Sequence, residues 1–365
     1  MNTYTADKGC KSSGSSELQL SYITCTIISG FSSFLKSVLG TTLPVLATFA
    51  CGCTEETQII PEGEQRDIRI HLTGGKSCDE GEFGRLDIFS FNTDSLGRLD
   101  AYQHLEDIVQ REISVSSTGG RKRIVIGCNL DMSEEDMMKI GTVRDLEEHT
   151  CMLENVRRKA PPMLGLTVIE AGIKSHACLP LEPMTSAIVL RSISSCFTGT
   201  PYEGVHITEA KVYLINVNAQ CCLTESPQTE RRFVNMGMLN HEDVAGFAEP
   251  DLIVQDIPED IGKERLLTDI SLVCFQNLCE NESPGSPFTR LVVEGKIQGE
   301  TYYWPLTINR TEGGRGIGSN TRHVFDLTIR RKGCLDPDEE LVIEDSETMM
   351  EVVEWEEKEE YSVIF

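Results

Sequence analysis

Positive charge is scarce in this sequence. Its 365 residues carry 33 Lys and Arg against 58 Asp and Glu, a net charge of −25 at pH 7. A polyanion of that size is repelled by phosphate backbones, which speaks against a nucleic-acid partner. Long hydrophobic runs are also lacking. No stretch of about 20 uncharged apolar residues recurs, so a polytopic membrane protein is excluded. Metal-binding spacings are missing. None of the ten cysteines after Cys53 forms a CxxC pair, which leaves a zinc ribbon or thioredoxin-type centre without support. Seven histidines are scattered with no HExxH or HxH arrangement. Gly313-Gly314-Arg315-Gly316-Ile317-Gly318 lacks the Lys-Ser/Thr of a phosphate loop and precedes a strand pattern, so it reads as a flexible hairpin loop. His149-Thr-Cys151 and His176-Ala-Cys178 do not bring thiol and base together by spacing alone. No acid/base pair or triad converges. The expectation is a protein that is not an enzyme, with no cofactor, no metal and no small-molecule substrate.

What is present is an ordinary globular composition, 39% hydrophobic and 25% charged, at a length that suggests about two domains. Period-two patterns dominate. Arg290–Ile297 places Leu291, Val293 and Ile297 on one face, and Gln298-Gly299 turns it into Glu300–Leu306 as a hairpin. His323–Arg330 directs Phe325, Leu327 and Ile329 inward. Further strands are expected at 68–72, 85–92, 113–116, 123–128, 188–195, 205–218 and 269–277. One helix is expected near Ser133–Asn155, capped by Ser133, with Met137, Ile140 and Leu146 on one face. Strands resume after Pro183, which puts a domain boundary near residue 180. The expectation is an all-β chain with minor helices, built of two β-sandwich domains at 53–180 and 181–365. Most cysteines are expected to be small buried hydrophobes, with one or two disulfides allowed in an oxidising compartment.

The two ends differ from the body. Between Tyr22 and Ala50 the only charge is Lys36, and an apolar stretch from Ser37 to Ala50 ends in Cys51-Gly52-Cys53-Thr54-Glu55-Glu56. A short apolar run behind a positive charge, ending in small residues, has the form of a secretory signal. Gly52-Cys53 resembles a bacterial lipoprotein box, with Ala50-Cys51 as the alternative. Glu55-Glu56 resembles the export signal of Bacteroidetes surface lipoproteins. Residues 1–52 are therefore expected to be a lipoprotein signal segment and Cys53 the acylated residue. A buried N-terminal helix is the bland alternative. At the other end, Gly333–Phe365 holds thirteen acidic residues and one basic residue, Lys358. It also holds Val352, Val353, Trp355, Tyr361 and Val363, so it reads as an acidic linker followed by strands able to add to a sheet edge. Asp336-Pro337-Asp338-Glu339-Glu340 reads as solvated linker.

Thr289-Arg-Leu-Val-Val-Glu-Gly-Lys-Ile-Gln-Gly-Glu-Thr-Tyr-Tyr-Trp-Pro-Leu306 resembles a hairpin of the Bacteroidales fimbrillin superfamily. Arg85–Asn92, Arg123–Leu130, Pro183–Leu190, Ala210–Val217, Ser271–Asn277 and His323–Arg331 resemble further stretches of that family in the same order. The resemblance covers about residues 60–365 and is nearest to the fimbrillin-associated anchor branch. It implies two transthyretin-like Greek-key sandwiches, a lipoprotein precursor on the outer membrane at the cell surface, and assembly of type V fimbriae with a contribution to adhesion. Its partners would be other fimbrial subunits, joined by strand donation, and outer-membrane lipid through the acylated cysteine. Val352, Val353, Trp355, Tyr361 and Val363 are the expected subunit-contact residues. A processed stalk or tip subunit would instead need a protease site that releases its first strand, for which Arg66 and Arg69 are candidates. The alternative of another class is a surface glycan-binding lipoprotein that stacks sugars on Tyr302, Tyr303 and Trp304.

Overall fold

The computed structural model describes residues 63–74, 83–94, 96–108, 110–172, 175–223, 232–279, 281–308, 316–339 and 359–364. The expected signal segment at 1–52, Cys51 and Cys53 lie outside them, as do Val352, Val353 and Trp355. In the first part of the chain the strands are β1 (Gln65–Thr73), β2 (Phe83–Asn92), β3 (Leu99–Ile108), β4 (Glu112–Thr118) and β5 (Gly120–Cys128). Two short helices follow, α1 (Glu134–Met138) and α2 (Val143–Glu147). Then come β6 (Thr150–Met152), β7 (Met163–Ala171), β8 (Ser175–Pro180) and β9 (Glu182–Pro183).

These strands make two sheets, ordered β3-β2-β5-β7-β9 and β4-β1-β8. Alternation drives the packing. Along β1 the exposed Asp67, Arg69 and His71 intersperse the buried Ile68, Ile70 and Leu72. That buried row meets Leu86, Ile88, Ile124 and Ile126 of the larger sheet in one apolar cluster. The other face of the larger sheet is covered as well. Phe89, Phe91 and Val125 are buried with Met137, Ile140 and Leu146 of the helical insertion. A sheet buried on both faces accounts for the nearly unbroken apolar run at the end of β5.

The single helix expected over 133–155 is two short ones. Ser133 caps α1 by accepting from the Asp136 amide. Thr142 is extended, at φ −140° and ψ 164°, and opens α2 with a reciprocal capping box to Asp145. A cap requires non-helical backbone at its own residue, so α1 closes at Lys139 and α2 starts afresh from Thr142. The three expected apolar residues are nonetheless buried.

The second part contains β10 (Thr185–Ser195), β11 (Thr208–Ile215), β12 (Val217–Asn218), β13 (Gln220–Cys222) and β14 (Phe233–Val234). Helix α3 (His241–Ala245) precedes β15 (Val254–Asp256), β16 (Leu266–Phe275) and β17 (Asn277–Leu278). The last strands are β18 (Arg290–Ile297), β19 (Glu300–Thr307), β20 (Gly316–Ile317), β21 (Arg322–Ile329) and β22 (Glu359–Ile364). Two four-stranded sheets result, β16-β10-β21-β22 and β15-β11-β18-β19. Ile188, Leu190, Leu272 and Phe325 from the first pack with Val212, Leu214, Val293 and Trp304 from the second. The architecture is all-β with minor helices, as the period-two pattern requires.

Local chemistry sets the turns. Gln298 at φ 53° and Gly299 at φ 88° are both left-handed, which matches the type I′ hairpin turn that joins twisted strands. The strand expected over 205–218 is interrupted at Asn216, whose φ is 56°. There β11 stays with β18, while β12 pairs with β14. Glycine loop residues Gly316-Ile317 are not free hairpin: they pair with Asn277-Leu278.

Candidate functional site at the sheet edge of the last strands

The last described strand, β22, lies parallel to β21, with Phe325 opposite Tyr361 and Leu327 opposite Val363. On its other side β21 is parallel to β10. Of the five expected subunit-contact residues, Tyr361 and Val363 therefore occupy an edge strand of their own chain's sheet. β21 holds its place because Phe325, Leu327 and Ile329 face the core. Its alternate residue Asp326 is clasped from the neighbouring strands. A bulge in β10 between Leu190 and Ser192 inserts Arg191, so both Arg191 and Ser192 reach Asp326, and Arg265 joins them.

Burial pushes the Asp326 carboxyl up, but hydrogen bonds from Arg191, Ser192 and Arg265 outweigh it and hold the group at about 2. Asp100 behaves alike. Burial opposes its ionisation, and Ser117, Thr118 and the fully buried Lys122 hold it at about 2. A carboxylate depressed in the fold adds stability above its unfolded value of about 4 and loses it as the pH falls to about 2. Acid titration should thus remove up to about 2 kcal/mol per group between those limits. Chemical denaturation of Asp326→Asn should show a visibly flatter dependence over that window. An unchanged slope would contradict the clasp.

A parallel strand needs a crossover, and its first part is docked on the opposite sheet. The Trp304 Nε1–H donates to the Arg331 carbonyl at 3.1 Å. Tyr303 and Cys334 exchange two backbone hydrogen bonds, 3.0 and 2.9 Å. Asp338 accepts from Arg290 Nη1 at 2.6 Å and from Asn216 Nδ2 at 2.9 Å. Arg290 is only 4% exposed and also binds Glu282 through both Nη atoms at 2.8 Å. The Asp-Pro-Asp stretch is therefore a docked latch and not the solvated linker expected from its charge. A nearly buried guanidinium needs carboxylates close by, and the linker supplies one. Sequence reading missed Arg290 because strand alternation places it on an outer face.

Other expected residues are positioned as follows. Arg66 and Arg69 both sit within β1. Arg66 is partly buried, pairs with Ser117 of β4 and forms an ion pair with Glu64. Arg69 is exposed, with its backbone between Ser114 of β4 and His176 of β8. A cut after either divides β1 and does not free it, since Ile70 and Leu72 follow. Trp304 is fully buried and presents no ring to a sugar, while its neighbours Tyr302 and Tyr303 are only partly buried. Among the nine described cysteines, Cys128, Cys151, Cys221 and Cys274 are buried, Cys178 is exposed and the rest are intermediate. The expected burial of most cysteines does not hold for this set.

No protein-family model matches the chain, and no curated protein matches its sequence. Solved structures do. A candidate cell adhesion protein from Bacteroides eggerthii superposes with a TM-score of 0.60 at 16% identity, covering 82% of this chain and 98% of its own. A fimbrilin from Porphyromonas gingivalis W83 gives 0.55 at 12% identity, covering 82% and 96%. A candidate cell adhesion protein from Parabacteroides distasonis gives 0.54 at 12%, covering 82% and 99%. At these identities the likeness establishes a shared fold: this chain has the fold of these adhesion and fimbrilin structures over nearly their whole lengths.

Proposed function

We propose that the chain is a structural subunit of a type V fimbrium, tethered at the outer membrane through acylated Cys53 and joined to other fimbrial subunits by strand donation. The observation that carries this reading is β22, an edge strand that pairs in parallel after a long crossover. Parallel pairing is slightly weaker per residue than antiparallel, and an edge strand exposes one row of backbone donors and acceptors. Such a strand can leave β21 and add to a neighbour's sheet, where the ladder gives affinity and the alternating side chains give specificity. The shared fold with the fimbrilin and adhesion structures supports the same reading. Division into two sandwich domains near residue 180 belongs to it. So does the anchor position, because a permanent tether suits a subunit at the base.

The N-terminal peptide of the mature protein, taken from outer membranes and weighed intact, tests the tether. An acylated Cys53 is the expected terminus, and several acyl chains suffice for stable anchoring even of an acidic protein. A terminus at Asp67 or Ile70, without lipid, would instead make the chain a processed stalk or tip subunit.

A further inference from the structure

Cys151 of β6 and Cys221 of β13 stand directly opposite each other in an antiparallel pair. Opposed residues in such a pair point to the same face. Both are buried, 1% and 4% exposed, in one apolar cluster. Two residues to either side, Leu153 N donates to Ala219 O at 2.8 Å and Leu223 N to His149 O at 3.3 Å. That alternation makes 151/221 a hydrogen-bonded pair with α-carbons about 5.5 Å apart. Disulfides bridge α-carbon separations of about 4.4–6.8 Å with β-carbons about 3.5–4.5 Å apart. Opposed β-carbons in such a pair start about 5 Å apart, so the bond draws the two short strands slightly together. The pairing also joins distant parts of the fold: β6 follows β5 of the five-stranded sheet, and β13 follows β11 of a later one.

We propose that Cys151 and Cys221 form a cross-strand disulfide that ties the two parts of the chain together. The oxidant is a disulfide, either a small molecule or an oxidised dithiol protein. It has an approach, because Cys221 and Cys222 line a cleft of about 330 Å³ with Leu164, Glu182, Met184 and Gln276. The Cys221 thiolate attacks one oxidant sulfur, the oxidant S–S bond breaks, and one oxidant thiolate leaves and takes a proton. The Cys151 thiolate then attacks the Cys221 sulfur of the mixed disulfide, and the second oxidant thiolate leaves and takes the other proton. The two protein thiols are oxidised by two electrons and the oxidant is reduced to two thiols.

Among the described residues, the neighbouring thiols do not meet these conditions. Cys222 is next to Cys221, so it points to the opposite face of the same strand. Cys128 lies in a different apolar cluster. Burial pushes the Cys151 thiol up to about 11, and burial together with the facing Cys151 pushes Cys221 up to about 12. The attacking thiolates are therefore minor species and the exchange is slow, while the disulfide, once made, carries no ionisable group.

The test uses the full chain. It is incubated with oxidised glutathione, denatured without reductant, alkylated with iodoacetamide, digested with trypsin and mapped by mass. The expected product links the peptide 145–157 to 212–231, with Cys222 alkylated. The link persists in Cys222→Ser and is lost in Cys221→Ser. Reduction lowers the melting temperature of the oxidised wild type by about 5 °C and leaves Cys221→Ser unchanged. Full alkylation of Cys151 and Cys221 after oxidation, a glutathione adduct that never resolves, or a link through Cys222 would each overturn the proposal.

Discussion

On the proposed strand donation, deleting residues 359–365 is expected to abolish co-assembly with other fimbrial subunits and to leave the remaining fold standing. The deletion removes β22, whose backbone pairs with β21 from His323 to Thr328. Phe325, Leu327 and Ile329 hold β21 in a core shared with the opposite sheet. That core is expected to keep the shortened chain folded, while the strand proposed for donation is gone entirely. Affinity capture of the tagged chain, read beside a melting curve, separates these effects. Undiminished capture of partner subunits by the shortened chain would remove β22 from the mechanism.

Arg290→Ala lowers stability by about 2–3 kcal/mol, or about 6 °C in melting temperature. Its guanidinium is nearly buried and holds Glu282 and Asp338 at once. The two carboxylates are partly exposed and regain water, which keeps the cost below that of a fully buried pair. The larger consequence is local. Without Arg290, Asp338 keeps only its Asn216 partner, and the segment from Arg331 to Glu339 loses its strongest tether. Trypsin should then cut after Arg331 or Lys332 several times faster. Arg290→Lys should restore part of the stability, because an ammonium cannot bind Glu282 through two parallel donors. A melting temperature within 1 °C of wild type and unchanged proteolysis would mean that the latch does not hold the segment.

How much of this was legible beforehand depended on the range of the interaction. The β18–β19 hairpin was readable because strand alternation and a Gln-Gly turn are local, and its bounds agree closely with Arg290–Ile297 and Glu300–Thr307. The inward row of β21 was readable for the same reason. β3 was missed because Leu99–Ile108 is polar and mostly half-buried. Its Tyr102 and His104 bind Asp87 of β2 at 2.8 and 2.9 Å, a partnership that composition does not announce. The burial of Arg290 was illegible because it depends on a carboxylate 48 residues away. In the candidate site, alternation at Tyr361 and Val363 signalled a strand. Its parallel register on β21 is a long-range choice that the local pattern leaves open. The helix over 133–155 failed for a local reason, the cap at Thr142, which the sequence did display.

The most direct test of the assembly mechanism places a photo-crosslinking residue at Tyr361 in cells that build the fimbria. Illumination is followed by weighing the products from assembled fimbriae and from free subunit. Strand donation predicts a covalent link to a second subunit in the assembled material and an internal link to β21 in the free chain. Internal links alone in both fractions would contradict it, leaving β22 as a permanent edge of its own sheet.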